Sequence, residues 1–259
     1  MARLTLGRIS YVNMAPLFYR LETDCDEVIG VPTELNARLL SGEIDVAAIS
    51  SIEWARHAER LRLLPQVCVS SEGAVDSIQI VSAAPLEHVR SVAITSESAT
   101  SAVLVRVLLP RVELVLADAD ADARLLIGDA ALRSVFDDPT PHYDLGELWR
   151  ERTGLPMVYA VFACHDPPPP GMAQIEASLL EAHRLARAQP EQLARDASAQ
   201  YGYPAGFLAR YFEKLRYSFG PRERAGLLAF LELACERGEL AAVPELRFAV
   251  PAPAAAARA

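Results

Sequence analysis

The chain has 259 residues, a formal net charge of −9 and 51% hydrophobic content, enough apolar material for one large domain or two lobes of roughly 100 residues each. That content excludes a disordered chain, and an acidic balance without any Lys/Arg cluster excludes a nucleic-acid partner, whose phosphates need a basic footprint. No run of ~18 uninterrupted apolar residues occurs and the start, MARLTLGRISYVNM, enters a strand pattern with no leader-like segment, so no membrane partner and a cytoplasmic location are expected.

Leu4 to Ile9 alternates as a strand, and Asn13 to Leu21 reads as the helix that follows it. Val28 to Val31 is a second short strand, Pro32 to Ser41 a helix with Leu35, Leu39 and Leu40 on one face, and Val46 to Ile49 a third strand. Ser51 to His57 opens another helix, Leu61 to Val69 returns extended, and Ser77 to Ser82 is a period-two strand ended by Ala84-Pro85. A fresh unit then starts: strand Ser91 to Ile94, helix Ser98 to Leu109, strand Glu113 to Leu116. Strand Ala123 to Ile127 ends in Gly128-Asp129, and helix Leu145 to Thr153 stops at Gly154-Leu155-Pro156.

Val158 to Cys164 is an apolar run consistent with a buried strand crossing back to the first lobe, and the four prolines Pro167 to Pro170 mark a boundary. Helical periodicity follows, around Leu179 to Ala186, over Phe207 to Leu215 and over Arg222 to Arg237, before an Ala/Pro-rich tail, Pro251 to Ala259, that reads as frayed. These helices are expected to cap the first lobe. The pattern predicts an α/β fold with a largely parallel sheet in each lobe. The first lobe is residues 1–82 plus 168–259 and the second 83–167, with crossings near Ser82 and Cys164. This is the hinge-closing plan of periplasmic solute-binding proteins, and it puts ligands in the interlobe cleft just after strands.

The loop after the first strand, Ser10-Tyr11-Val12-Asn13, carries an amide able to donate and accept toward a cleft, or to cap a helix. Ser50 and Ser51 after the third strand suit a helix cap, an anion site beside free backbone N–H groups, or both. Ser77 either faces the same cleft or is an edge-strand serine without a role. Thr95 to Ser101 holds five hydroxyl residues in seven at a helix start. A cap uses one or two of these, so Ser96, Ser98, Thr100 and Ser101, with the backbone at Ala99, are read as a carboxylate site. Gly128 lets a ligand approach the backbone, and Asp129 accepts a hydrogen bond or caps the next helix.

His57, His88, His142, His165 and His183 lack metal-ligand spacing, and Cys25, Cys68, Cys164 and Cys235 show no C-x-x-C. No metal is expected, and the cysteines read as buried or incidental thiols of a reducing compartment. Nucleotide-binding, serine-hydrolase and zinc-protease motifs are absent as well, so chemistry here rests on positioning and on a reactive substrate. Lys214 is the only lysine, and the arginine bias reads as codon usage without functional weight.

The ordered segments ISYVNMAPLFYRL, VPTELNARLLSGEIDVAAISSIEWARH, LPQVCVSSEGAVDSIQIVS, TSESATS, LLIGDAAL and DLGELWRERTGLPMVYAVFA together resemble the chorismate dehydratase family of the futalosine route to menaquinone. The resemblance runs from Arg3 to Cys164, with a weaker echo from Tyr211 to Gly238. It implies a two-lobed fold like type 2 periplasmic binding proteins and a hydro-lyase that turns chorismate into 3-[(1-carboxyvinyl)oxy]benzoate. It also implies Asn13 and Ser77 as the residues tied to substrate and catalysis, and the hydroxyl-rich loop at Ser96, Ser98, Thr100 and Ser101 as a further match. No cofactor is implied, and the chain is expected as a monomer or homodimer. Family members often carry Leu-Asn-Ser or Leu-Asn-Cys where this chain has Val12-Asn13-Met14. A non-catalytic binding or sensor protein for a small carboxylate is the alternative. The dihydroxynaphthoate-forming enzyme of the same route ranks third, because its Pro-Asn-Asp-type segment and its histidine have no counterpart here.

Overall fold

A computed structural model describes residues 3–249; the tail predicted at Pro251 to Ala259 lies outside the described residues. In chain order the elements begin β1 Leu4–Ile9, a three-residue 3-10 turn Val12–Met14, β2 Cys25–Gly30, α1 Pro32–Leu40, β3 Val46–Ser50, α2 Ser51–Arg56, β4 Leu61–Ser71 and β5 Ile78–Val81. Then come β6 Ser91–Ile94, α3 Ala99–Leu108, β7 Glu113–Leu116, β8 Ala123–Ile127, α4 Gly128–Asp137, β9 His142–Asp144, α5 Leu145–Thr153 and β10 Met157–His165. The chain closes with α6 Met172–Ala188, α7 Pro190–Tyr201, α8 Ala205–Phe212, β11 Leu215–Ser218 and α9 Pro221–Glu236.

Two sheets organise these elements, a six-stranded one in the order β11-β4-β10-β3-β1-β2 and a five-stranded one in the order β7-β6-β8-β5-β9. Both are mixed rather than largely parallel. In the first, β1 runs parallel to β2 and β3, while β10 is antiparallel to β3 and β4 and β11 is antiparallel to β4. In the second, β6 is parallel to β7 and β8, whereas β5 is antiparallel to β8 and β9. Apart from the pair of β11 with β4, the antiparallel pairs arise at β5 and β10, the strands that enter each sheet directly from the other one.

Hydrogen bonding also moves both crossings toward the N-terminus. Ile78 to Val81, expected in the first lobe, pairs with β8 and β9 in the second sheet. β10, expected at the end of the second lobe, lies inside the first sheet. The backbone therefore passes between the sheets at residues 72–77 and again at 154–156. β10 is buried along almost its whole length, the continuous apolar pattern of a strand covered on both faces. Its cover includes α9, while α6 lies on β4.

The helix predicted over Asn13 to Leu21 forms only as the 3-10 turn and further turns. Pro16 has no N–H for an intrahelical bond, and Arg20 takes a positive φ of 48° that breaks any continuation. The helix predicted to reach Leu215 ends at Phe212, and Leu215–Ser218 instead adds a strand to the edge of β4. α5 stops where expected, with Gly154 at φ 70° closing its C-terminus, and Asp144 is its N-cap.

Gly226 in α9 sits so close to the start of β10 that a Cβ there would lie 2.0 Å from the Pro156 carbonyl oxygen, whereas a Cβ on Gly206 in α8 meets nothing within 4 Å. Helix propensity favours alanine in the interior of α9, where Gly226 lies, and less so in the first turn of α8, where Gly206 lies. Gly226→Ala is therefore expected to lose about 1–3 kcal/mol through overpacking, and Gly206→Ala to be neutral or to gain up to about 1 kcal/mol. Urea denaturation of the two variants checks the contrast.

Candidate active site

A cavity enclosing about 580 Å³ of atom-free space, mouth included, lies where residues from both sheets converge. The first sheet contributes Ile9, Ser50, Val69, Tyr159, Ala160 and Leu215; the second contributes Ile78 and Ile127, with Gly128, Ser98 and Ser101 from the starts of α4 and α3. The crossing segment adds Val75 and Ser77, and the loop after β1 adds Tyr11 and Asn13. None of the lining side chains is Asp, Glu, Lys, Arg or His. Polar recognition in this cavity comes from hydroxyls, an amide and backbone dipoles.

Asn13 sits in the middle of the 3-10 turn, and its Oδ1 is buried without a hydrogen-bond partner. A buried acceptor left open costs roughly 1–3 kcal/mol, which a ligand donor would recover. The turn is held from behind, since the Tyr217 hydroxyl donates to the Asn13 carbonyl oxygen and the Val12 N–H donates to Asp129 Oδ1 at 3.1 Å. Asn13 does not cap a helix.

Ser77 lies in the crossing immediately before β5 and is 3% exposed. Its carbonyl accepts from the Gly128 N–H at 2.7 Å, which joins the crossing to the start of α4. Gly128 has φ 55°, and a Cβ there would fall 2.6 Å from the Tyr11 ring, so glycine is what allows the tyrosine to lie against this backbone. Tyr11 then donates its hydroxyl to Glu97 Oε2 at 2.7 Å. Burial, followed by that hydrogen bond, pushes the Tyr11 phenol well above its ordinary value. Asp129 is not a cap; burial raises its pKa and the Val12 N–H partly offsets this.

The hydroxyl-rich loop divides. Ser98 is the N-cap of α3, accepting from the Ser101 N–H at 3.2 Å, and its hydroxyl lies 2.9 Å from that of Ser101. Both line the cavity. Thr100 is buried and accepts from the Ile52 N–H at 3.3 Å, at α2. Ser96 is exposed and neither it nor Ala99 is among the lining residues.

The serines after β3 likewise separate. Ser50 lines the cavity while exchanging hydrogen bonds with Asn36; Ser51 turns away, donating to the Val158 carbonyl at 2.8 Å. Neither caps α2 through its side chain. Ser10 is outside the lining, its N–H bonded to the Gly30 carbonyl at 3.0 Å.

Sequence reasoning missed two tyrosines and a carboxylate. Tyr159 of β10 lines the cavity with its hydroxyl 2.8 Å from Ser71 Oγ, and burial raises its pKa strongly. The Tyr211 hydroxyl is buried beside Ser77 and meets no partner at hydrogen-bond geometry. A tyrosine inside an apolar run signals a hydroxyl that needs a partner, and Tyr159 carried that signal. Asp144, 8% exposed, accepts from the N–H groups of Val75, Asp76, Gly146 and Glu147 and from Gln79 Nε2. Nothing local in the sequence marks it beyond its place as an N-cap.

A second, more open groove of about 1270 Å³ lies among α6, α7, α8 and β11, lined in part by His183, Arg187, Arg216 and Tyr217. It contains none of the predicted residues. Among the described residues no helix is long and apolar enough to cross a membrane, and no cluster of three or more His, Cys, Asp or Glu residues could hold a metal ion.

Comparison of the whole fold finds a crystal structure of a protein from Archaeoglobus fulgidus at TM-score 0.77 and 18% identity, covering 92% of this chain and 98% of that one. The periplasmic aliphatic sulphonate binding protein of Escherichia coli follows at TM-score 0.67 and 16% identity, covering 99% and 95%. These likenesses establish the two-lobed periplasmic-binding-protein fold. In sequence, the chain is 36% identical over 255 residues to the chorismate dehydratase of Thermus thermophilus, covering 88% of this chain and 93% of the relative. It is 33% identical over 170 residues to the chorismate dehydratase of Campylobacter jejuni, covering 62% and 67%. A family model described as menaquinone biosynthesis matches residues 4–236, and the chain belongs to that family.

Proposed function

We propose that the chain is a chorismate dehydratase, a carbon–oxygen hydro-lyase that removes water from chorismate to give 3-[(1-carboxyvinyl)oxy]benzoate. The observation that carries this reading is the buried, unpartnered Asn13 Oδ1 in a cavity with no charged lining side chain, in a chain 36% identical to a chorismate dehydratase.

The chemistry suits such a cavity. The ring carboxylate acidifies the proton on C3 through a conjugated double bond, and expulsion of the C4 hydroxyl leaves an aromatic ring. Loss of that proton and that hydroxyl accounts for one water. In this proposal the enolpyruvyl carboxylate of the substrate accepts the proton, so no protein base is required. Asn13 and Ser77 orient the substrate and the departing hydroxyl. The start of α3, with Ser98 and Ser101 facing the cavity and the backbone N–H groups of Ala99 and Thr100 in its first turn, supplies the positive end of a helix dipole for a carboxylate.

The two sheets act as lobes that close over the substrate. Tyr11 against Gly128 and Glu97, Val12 against Asp129 and Ile52 against Thr100 are among the contacts that join them around the cavity. Closure excludes water and strengthens each dipolar contact.

Mixing the purified protein with chorismate is expected to abolish the diene absorbance and to yield an aromatic product lighter by one water. Tight binding without turnover would instead favour a carrier or sensor of small carboxylates. Asn13→Ala is expected to lower kcat by about 100-fold, as for a misplaced substrate, with the same product; full turnover in that variant would remove Asn13 from its role.

The pH dependence has a defined sign. Burial raises the pKa values of Tyr11, Tyr159 and Tyr211 above the ordinary phenol value, so all three keep their protons to higher pH than a free tyrosine, whose pKa is about 10. With no His, Lys or Cys in the lining, kcat/KM is expected to stay flat from about pH 7 to 9, the range in which those groups would otherwise titrate. A profile with an alkaline limb inside that range would contradict this.

A further inference from the structure

The crossing segment that delivers Ser77 has an unusual backbone. Asp76 takes φ 59°, and the Ser77 N–H donates to the Val75 carbonyl at 2.7 Å across it. A hydrogen bond from residue i+2 to residue i around a positive φ is the rare and strained form of the γ-turn, and a non-glycine residue holds it only where its surroundings impose it. The residue after the turn is Ser77, which faces the cavity.

Two groups impose this turn. Asp144 Oδ2 accepts from the Val75 N–H at 2.9 Å and from the Asp76 N–H at 2.6 Å, which fixes the backbone ahead of it. The Asp76 side chain is held separately, with both carboxylate oxygens 2.7 Å from Lys214 Nζ. Lys214 lies between α8 and β11, and its neighbour Leu215 pairs with Ser71 at the end of β4 and lines the cavity. The ion pair thus ties the first sheet's edge strand to the segment leading into the second sheet. It is partly buried, at 38% and 24% side-chain exposure.

Lys214 is also the only lysine among 25 basic residues. That one lysine stands beside the turn that delivers Ser77.

We propose that Lys214 is a positioning residue for the dehydration: through its ion pair with Asp76 it holds the positive-φ turn that aims Ser77 at the reacting part of the substrate. The inference rests on the dehydratase reading and deepens it. Lys214 touches no substrate. Its loss lets the turn relax while leaving the α3 end of the cavity, where a carboxylate is held, in place. The effect therefore falls on kcat rather than on KM.

The test uses the full chain, with steady-state kinetics on chorismate and deuterium uptake of the peptide spanning residues 72–78. Lys214→Met is expected to lower kcat about tenfold with KM within about twofold, and to speed exchange in that peptide. Lys214→Arg keeps the charge and is expected to recover most of the loss. Asp76→Asn removes the charge but retains a residue that tolerates positive φ, so it should match Lys214→Met. The double variant should be no worse than either single one, because the two residues act as one unit.

Wild-type kcat in Lys214→Met, a change confined to KM, or losses that multiply in the double variant would each overturn the proposal. Should the wild-type protein fail to dehydrate chorismate, the dehydratase reading falls by itself. The clamp is then judged on exchange alone, with faster uptake in Lys214→Met supporting it and unchanged uptake overturning it.

Discussion

The carboxylate of Asp144 is where the molecule is tied together. Its Oδ1 caps α5 through the N–H groups of Gly146 and Glu147, and its Oδ2 gathers Val75, Asp76 and Gln79. One side chain thereby joins a helix start, the crossing between sheets and strand β5. Burial works against its ionised form, and the backbone donors work the other way. A buried carboxylate is tolerated only with such a set of donors. The crossing it holds delivers Ser77 to the cavity, and from Ser77 the chain continues by hydrogen bond to Gly128 and by packing to Tyr11.

Around that anchor the fold builds a cavity whose polar atoms are neutral. An anionic ligand there meets oriented dipoles, which need no counter-charge and do not titrate near neutral pH. The arrangement is preorganised in the sense that matters for catalysis. Asn13 is locked on its carbonyl side by Tyr217 while its own Oδ1 is left open, so in the proposed dehydration its desolvation is met in folding rather than at each turnover.

Alternation and apolar periodicity were enough to read the α/β class and the ends of β1, β6, β7, β8 and α5, with the end of β3 and the start of α3 each one residue off, because each is a local pattern bounded by turn residues. Sheet membership was not legible. The run Ser77 to Ser82 looks the same whether it closes one lobe or opens the next, and only its partners, β8 and β9, decide. β9 has three residues and β11 four, too short for a period to declare itself. Within the cavity, Tyr11, Asn13, Ser50, Ser77, Ser98, Ser101 and Gly128 were legible because each lies near a strand end or a helix start. Thr100 and Ser51 were in the right place but are turned toward Ile52 and Val158. Side-chain direction at a helix start is set by what packs above it, and spacing does not encode that. Asp144 and Lys214 reach the crossing segment over long sequence separations, which no local pattern encodes, whereas Tyr159 was marked only as a tyrosine inside an apolar run.

The position of β10 has a consequence for how the chain is made. It fills the middle of the first sheet, between β4 and β3, yet it is synthesised only after every strand of the second sheet has been completed. Until residues 157–165 leave the ribosome, β3 and β4 each lack the neighbour they share, and the N–H and C=O groups along those edges stay unpaired. The second sheet, continuous from residue 78 to 144, can assemble first. The first is joined up by a strand inserted between two that have been waiting, with β11 added to its edge later, a non-local closure of the kind that slows folding. The interval before β10 emerges therefore leaves the nascent chain with open strand edges prone to aggregation.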